Sequence, residues 1–402
     1  MFELASEILK ETGGKICRNC LGRKLSKTVP GSNNIERADK VCKELNIDLD
    51  DADCVICDNV FDKLNDDLYK KIDDKINQLG VEFDTFLVGS RISKGIQKRD
   101  DELSEKFNLN VETIKKELNR LIGLKIWEIY GKDAEFERQD IVFNINLIGD
   151  AKVKIQINPL YIEGKYNKYK RGIPQTKWPC TKCKGRGCEE CNYTGKQYLE
   201  SVEELISQHV LELTKGYEAK FHGAGREDID VLMLGSGRPF VLEIKEPRIR
   251  NIDLKQLEED INVINQGKTA YHNLKVCQRN RKAEIKQSSP DTYKVYEALV
   301  ECGESYDDDR LKDLVELNEI HQQTPQRVLR RRADKVRIKH VLDLSYEIID
   351  EKTFNMLIKT EGGLYIKELI SGDEGRSNPN VSEILGVDAQ CIQLDVIEVS
   401  EK

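Results

Sequence analysis

Gly223-Ala-Gly-Arg-Glu-Asp-Ile-Asp-Val231, continued by Met233-Leu-Gly-Ser-Gly-Arg-Pro-Phe240, sets a carboxylate in a glycine-bearing turn directly ahead of an apolar strand. Glycines at 223 and 225 let a second backbone, or a ligand, come close to that turn. The apolar runs around it predict strands over 229–234 and 240–244, with the Asp230 side chain leaving the sheet opposite Ile229 and Val231. An aspartate presented this way is a candidate nucleophile. The same composition also describes an ordinary acidic turn entering a strand, and the residues alone leave both readings open.

Working outward from this turn, the carboxyl-terminal half is rich in strand signals, over 292–300, 336–349, 364–370 and 392–399. Helical spacing covers 201–213, opened by the capping box Ser201-Val-Glu-Glu204, and also 253–264 and 309–317. Together they predict an α+β fold, a mixed and largely antiparallel sheet with helices on one face. The Lys-, Tyr- and Gly-rich passage 164–179 reads as a linker or binding loop. Upstream, the alternating runs 140–147 and 152–158 predict paired strands about Gly149-Asp-Ala. Helices are expected over 1–12, 35–45, 59–79 and 101–124, with a strand at 85–89. The expected division is 1–60, 61–170 and 171–402.

A chain of 402 residues with 39% hydrophobic content can bury sizeable cores. Its formal net charge of −8 argues at first sight against a nucleic-acid partner. The average conceals two basic segments: residues 151–196 carry eleven Lys or Arg against three acids, and residues 323–340 seven against one. Either can be a phosphate-facing surface or a solvated face. No segment reaches the roughly eighteen apolar residues needed to span a bilayer. The opening residues look like an acid-bearing amphipathic helix and not a signal peptide, so a cytoplasmic location is expected.

Twelve cysteines in such a chain call for metal or redox explanations before disulfides. Eight fall into Cys-x-x-Cys pairs: Cys17/Cys20 with Cys54/Cys57, and Cys180/Cys183 with Cys188/Cys191. Two such knuckles close a four-cysteine shell around one tetrahedral ion, and a closed shell is structural because no position is left for substrate. Structural zinc is therefore expected at both sets. The second is the stronger signal, since its glycines and Asn192-Tyr-Thr-Gly195 permit consecutive turns. For the first set a dithiol redox site is the rival, without the strand and helix setting such a site needs. Cys42, Cys277, Cys302 and Cys391 sit in apolar surroundings and read as core residues.

The string from Gly225 to Val231, with Gly-Arg-Pro-Phe-Val-Leu-Glu-Ile-Lys-Glu-Pro-Arg248 after it, closely resembles the catalytic motif of the archaeal and eukaryotic tRNA pseudouridine synthases that act on the T-arm, the Pus-ten type. Arg171-Gly-Ile-Pro-Gln-Thr-Lys-Trp-Pro-Cys180, Thr324-Pro-Gln-Arg-Val-Leu-Arg-Arg-Arg-Ala-Asp334 and Gly362-Gly-Leu-Tyr-Ile-Lys-Glu-Leu369 are similar to family segments in family order. The amino-terminal knuckles and the module after them resemble the family's accessory region, which carries an RNA-binding THUMP domain. The resemblance spans nearly the whole chain.

What it implies is a tRNA uridine isomerase that modifies T-arm uridines, conventionally positions 54 and 55, with tRNA as partner and no organic cofactor, membrane or obligate protein partner. Carried over by position, Asp228 is the nucleophile, Lys367 its basic partner, and Tyr293 the tyrosine that stacks on the base. Ile366 and Leu394 line the pocket. Taken singly, Tyr293 could be a core aromatic and Lys367 a solvated lysine. Arg226 is placed to fill the gap left by an extruded uridine. Arg238, Lys245, Arg248, Arg330, Arg331 and Arg332 are further RNA-contact candidates, the last three on a helix where they cannot all point one way. Leu232 departs from the family pattern, where relatives often have Arg. Two competing classes remain: a non-catalytic zinc-containing protein that binds structured RNA, and a THUMP-linked methyltransferase. The second lacks a glycine-rich strand-to-helix turn for its cofactor.

Overall fold

The computed structural model describes residues 2–400 apart from 50, 52, 288–291 and 331. It divides into two compact units, Met1–Pro159 with Glu246–Arg250, and Leu160–Lys245 with Asn251–Lys402.

The first unit opens with helices α1 (Phe2–Glu11), α2 (Arg18–Lys24) and α3 (Asn34–Leu45). There follow α4 (Asp66–Leu79), β1 (Thr85–Arg91), α5 (Lys94–Lys106), α6 (Ile114–Tyr130), β2 (Asp133–Ala134), β3 (Ile141–Asn146) and β4 (Lys152–Ile157). The strands form one sheet in the order β2-β1-β3-β4. β3 and β4 pair antiparallel with Ile141 opposite Ile157, as their alternation predicts. One long helix over 101–124 does not form. α5 stops at Lys106, Asn108 turns left-handed at φ 50°, and Thr113 caps α6 by accepting from the Lys116 amide. Leu118, Ile122 and Ile126 then recur every four residues on the buried face of α6. Phe83, Phe86 and Phe143 meet edge to face in the same core.

The second unit contains β5 (Leu160–Lys168), α7 (Val202–Thr214), β6 (Glu218–Gly223), β7 (Leu232–Lys245), α8 (Leu254–Ile264), β8 (Thr269–Val276), α9 (Arg281–Gln287) and β9 (Tyr293–Cys302). It continues through α10 (Asp308–Leu311), β10 (Glu319–Gln323), β11 (Val336–Ile348), β12 (Thr353–Glu361), α11 (Ile366–Ser371), β13 (Ser377–Asn378), α12 (Val381–Leu385) and β14 (Ala389–Val399). Ten strands make one sheet, ordered β13-β10-β11-β12-β9-β14-β7-β5-β8 with β6 also on β7. β14 and β7 run parallel, and the other described pairings in this sheet are antiparallel. The expected mixed, largely antiparallel α+β architecture is the observed one.

Four local expectations are corrected. The two strands around 229–244 are one strand, β7, which begins only at Leu232; Ile229 and Asp230 lie in a turn, so strand alternation does not orient Asp230. β7 passes close beneath β14, where a Cβ on Gly235 would sit 1.9 Å from the Ile397 carbonyl oxygen, and only glycine fits. Residues 164–168 are not loop but the end of β5, where Tyr166 and Lys168 are fully buried, so the large sheet begins at Leu160. The run 364–370 is not a strand. Ile366, Leu369 and Ile370 bury one side of α11, which Gly372 ends in the left-handed region. Arg330 and Arg332 are not helical either, following the single 3₁₀ turn Gln326–Val328.

Candidate active site and metal-binding clusters

Asp228 sits in a cleft of about 470 Å³ walled by the turn before β7, the 3₁₀ turn at 326–328, α11, β9 and β14. The turn is held from behind by two cations, the buried Lys168 and the half-buried Arg171. The Lys168 ammonium donates to the carbonyls of Ile173, Asp228 and Ile229 at 2.9, 3.1 and 3.3 Å. Burial depresses the Lys168 ammonium, a cost set against three carbonyls held in place. Arg171 donates to the carbonyls of Asp230 and Leu394 and pairs with Asp395, which also accepts from the Leu232 amide. Leu232 thus contributes its backbone to this tie.

Beneath the turn, Glu227 is buried between the Arg238 guanidinium at 2.9 Å and the Tyr166 hydroxyl at 2.8 Å. Arg238 also donates to the Ala224 carbonyl. Its side chain is 2% exposed, so its expected role as an RNA contact is corrected: Arg238 supports the motif from inside. Gln175 ties Tyr166 to the Gly225 carbonyl, bringing in the segment before the second cysteine set.

At the mouth, one Asp228 carboxylate oxygen accepts from Arg327 at 2.8 Å. Arg327 also pairs with the buried Glu368 and lies over the Tyr365 ring. Lys367 does not reach Asp228 but is bonded to Asp230 at 2.7 Å. Burial works against ionisation of Asp230, yet Lys367 holds its carboxyl below the usual range. Ile366 and Leu394 line the cleft as expected, with Val231, Leu364 and Val396. Tyr293 does not. Its hydroxyl donates to Glu398 at 2.8 Å and its ring lies 3.9 Å from the Lys359 ammonium. Tyr296, one residue past the next alternate position on β9, lines the cleft instead, its phenol pushed up to about 12 by burial. Arg327 and Tyr296 were both missed in the sequence. The signal for Tyr296 was there, because a second tyrosine stands in Tyr293-Lys-Val-Tyr296; for Arg327 it was its place as the first arginine of a basic run, set apart from the other three by Val328-Leu329.

Of the remaining arginines, Arg226 is exposed at the cleft and stacks on Trp178 at 5.3 Å, while Arg332 lines the mouth. Arg330 is exposed, and Arg331 lies outside the described residues. Lys245 pairs with Glu218. Arg248 belongs to the first unit, its carbonyl accepting from the Glu82 amide.

The eight paired cysteines gather into two clusters that could hold metal ions, Cys17/Cys20/Cys54/Cys57 and Cys180/Cys183/Cys188/Cys191. Four thiolates about 2.3 Å from a tetrahedral ion stand about 3.8 Å apart. Cys17 and Cys57 are separated by 3.6 Å, Cys180 and Cys188 by 4.0 Å, and Cys183 and Cys191 by 3.9 Å. In the second cluster the amides of Gly187, Cys188 and Gly195 point at sulfur from 3.2 Å, an arrangement that favours thiolate. Arg23 does the same for Cys20 at 3.6 Å. The donor sets fit a closed-shell ion. Of the unpaired cysteines, Cys42 and Cys302 are buried and Cys277 and Cys391 partly so.

The family model for the Pus10 C-terminal region matches residues 161–400, and that for the archaeal Pus10 THUMP domain matches residues 69–146. The tRNA pseudouridine synthase Pus10 of Methanothermobacter marburgensis is 48% identical, covering 99% of this chain and 98% of its own length. That of Pyrococcus furiosus is 40% identical, again over 99% and 98%. A solved structure of a Cbf5-Nop10-Gar1 complex overlays 49% of this chain and 45% of its own at 17% identity and a TM-score of 0.32, a likeness that adds nothing to the sequence match. Among the described residues, no helix is long and apolar enough to cross a membrane.

Proposed function

The chain belongs to the Pus10 family of tRNA pseudouridine synthases, and on that premise we propose that it converts uridine to pseudouridine in the T-arm of tRNA, at positions 54 and 55, with Asp228 as nucleophile. The reaction is an isomerisation. The bond from C1′ to N1 of uracil breaks, a bond from C1′ to C5 forms, and the C5 proton is lost while N1 gains one. The observation that carries the reading is a carboxylate beside a fixed cation at the mouth of a cleft lined by both charged and apolar side chains. Asp228 is 2.8 Å from Arg327 above Ile366 and Leu394, in a volume of the size that takes a small ligand.

The roles we assign follow from placement. Tyr296, not Tyr293, lies against the base, and its high-lying phenol enters the cleft protonated. Arg226 and Arg332 meet the RNA around the flipped nucleotide, with the stacked Trp178 holding Arg226 beside the turn. The THUMP segment 69–146 contributes to tRNA binding. Zinc occupies both four-cysteine clusters, folding the knuckles without entering the chemistry.

The test is to incubate the protein with an unmodified tRNA transcript and map pseudouridine nucleotide by nucleotide, with Asp228→Asn alongside. Product at both adjacent T-arm uridines, absent with Asp228→Asn while RNA affinity is kept, is the expected result. Tight binding without product from the unaltered protein would move the reading to an RNA-binding protein, and an Asp228→Asn rate equal to the unaltered protein would end the nucleophile assignment.

A further inference from the structure

The cation beside Asp228 is not the one that motif order suggests. Lys367 and Glu368 are neighbours on α11, so their side chains project about 100° apart. Lys367 spends its single ammonium on Asp230, at 2.7 Å. Glu368 turns the other way and is buried, its side chain 7% exposed, against Arg327. Arg327 has two faces to its fork. Its Nε is taken by Glu368, and its Nη1 reaches the Asp228 Oδ2. A planar guanidinium held at one edge by a buried carboxylate presents its other edge in a fixed direction.

The segment that carries Arg327 is itself anchored. Arg376 donates to the Thr324 carbonyl at 2.8 Å, and the Gln326 amide donates to Asp373 at 3.1 Å. Arg327 therefore reaches the nucleophile from a supported turn. It engages one oxygen of Asp228, and no described residue bonds the other, Oδ1, which leaves that oxygen free to react.

We propose that Arg327 is the positioning residue of the Asp228 carboxylate in this chain, and that Lys367 serves Asp230 and, through it, the turn that carries the nucleophile. The proposal rests on the reading of Asp228 as nucleophile. Arg327 acts by holding Oδ2 and offsetting the carboxylate charge, with Glu368 keeping the guanidinium paired after Asp228 has reacted. Lys367 acts one step further away.

The test uses the full chain and an unmodified tRNA transcript, comparing Arg327→Ala, Arg327→Lys and Lys367→Ala. Arg327→Ala should lower the single-turnover rate at saturating enzyme by about 100-fold, with RNA affinity changed by less than about threefold. Added methylguanidinium should restore at least about tenfold of that loss, because the cavity left has the shape of the deleted group. It should do nothing for Lys367→Ala. Arg327→Lys, a point charge that cannot bridge two carboxylates, should fall between. An Arg327→Ala rate within about threefold of the unaltered protein overturns the proposal, and so does a loss confined to affinity or one that methylguanidinium leaves untouched.

A second arm does not depend on activity. Thermal melts of Asp228→Asn, Arg327→Ala and the double variant should be non-additive by about 1–2 °C, as for a partly exposed pair. Lys367→Ala should couple to Asp230→Asn and be additive with Asp228→Asn. Coupling between Arg327 and Asp228 in a protein that modifies no tRNA keeps the pairing and sinks the nucleophile reading. Additivity in an active protein sinks the pairing alone.

Discussion

Arg238 and Glu227 give up water together, and neither can be removed without leaving the other charge buried. The Tyr166 hydroxyl and the Ala224 carbonyl complete the arrangement directly beneath the turn that carries Asp228. Arg238→Met should therefore cost about 3–5 kcal/mol of stability, read as a fall in the melting midpoint. A variant that melted like the unaltered protein and lost only RNA affinity would return Arg238 to the surface. Lys294 is a different case, because no described hydrogen bond satisfies it. Burial, with the Arg238 charge nearby, lowers its ammonium from 10.5 to about 7. The unfolded chain then holds the extra proton between those two values, so stability rises with pH across that window. The penalty is fully present below about 7 and is relieved as pH climbs toward 10.5. Lys294→Met should raise the melting midpoint most at neutral pH and below, with the gain shrinking as pH is raised. An equal gain across the scan would show that the lysine is not charged and buried in the way described.

At the scale of the element, the second cysteine cluster depends on glycine as much as on sulfur. Gly195 stands at φ 71° and a Cβ there would lie 2.5 Å from the Gly185 carbonyl oxygen, while its own amide serves the Cys191 sulfur. Gly195→Ala should lower the retained zinc toward one ion per chain, measured on the purified protein after dialysis against chelator. Two ions held by this variant would show that the knuckle does not need the turn. These clusters were legible in the sequence because ligand chemistry fixes spacing directly. α11 was not. Leu-Tyr-Ile-Lys-Glu-Leu-Ile carries strand-favouring residues, and only burial of Ile366, Leu369 and Ile370 on one side selects the helix. β5 was missed for the converse reason, since Lys168 looks like a surface residue until its three backbone carbonyls are seen. The same holds within the site. Asp228, Ile366 and Leu394 could be found by motif, whereas the exchange of partners between Lys367 and Arg327 is decided by which way two adjacent helical side chains point.

For the whole molecule the proposed function raises the question of how a chain of formal charge −8 would hold a polyanion. Many acids are engaged with bases in ion pairs within each unit, and Arg327 is itself paired with Asp228 and Glu368, whereas Arg226 and Arg332 line a single cleft. Local charge governs docking because fields from the remainder are screened within about 8–10 Å at physiological salt. Affinity for tRNA should thus fall linearly on a double-logarithmic plot against salt, with a slope that counts phosphate contacts. Removing one such contact with Arg332→Ala should flatten the slope by about 0.7–0.9, with affinity lost alike for T-arm variants of different sequence. Arg226 differs because it stacks on Trp178 beside the reacting turn. If its role is to fill the place of the flipped uridine, Arg226→Ala should depress the rate at saturating enzyme while leaving the salt slope close to that of the unaltered protein. A slope reduced as much as by Arg332→Ala, with the saturated rate intact, would make Arg226 one more phosphate contact and leave the extruded base without a group to hold its place.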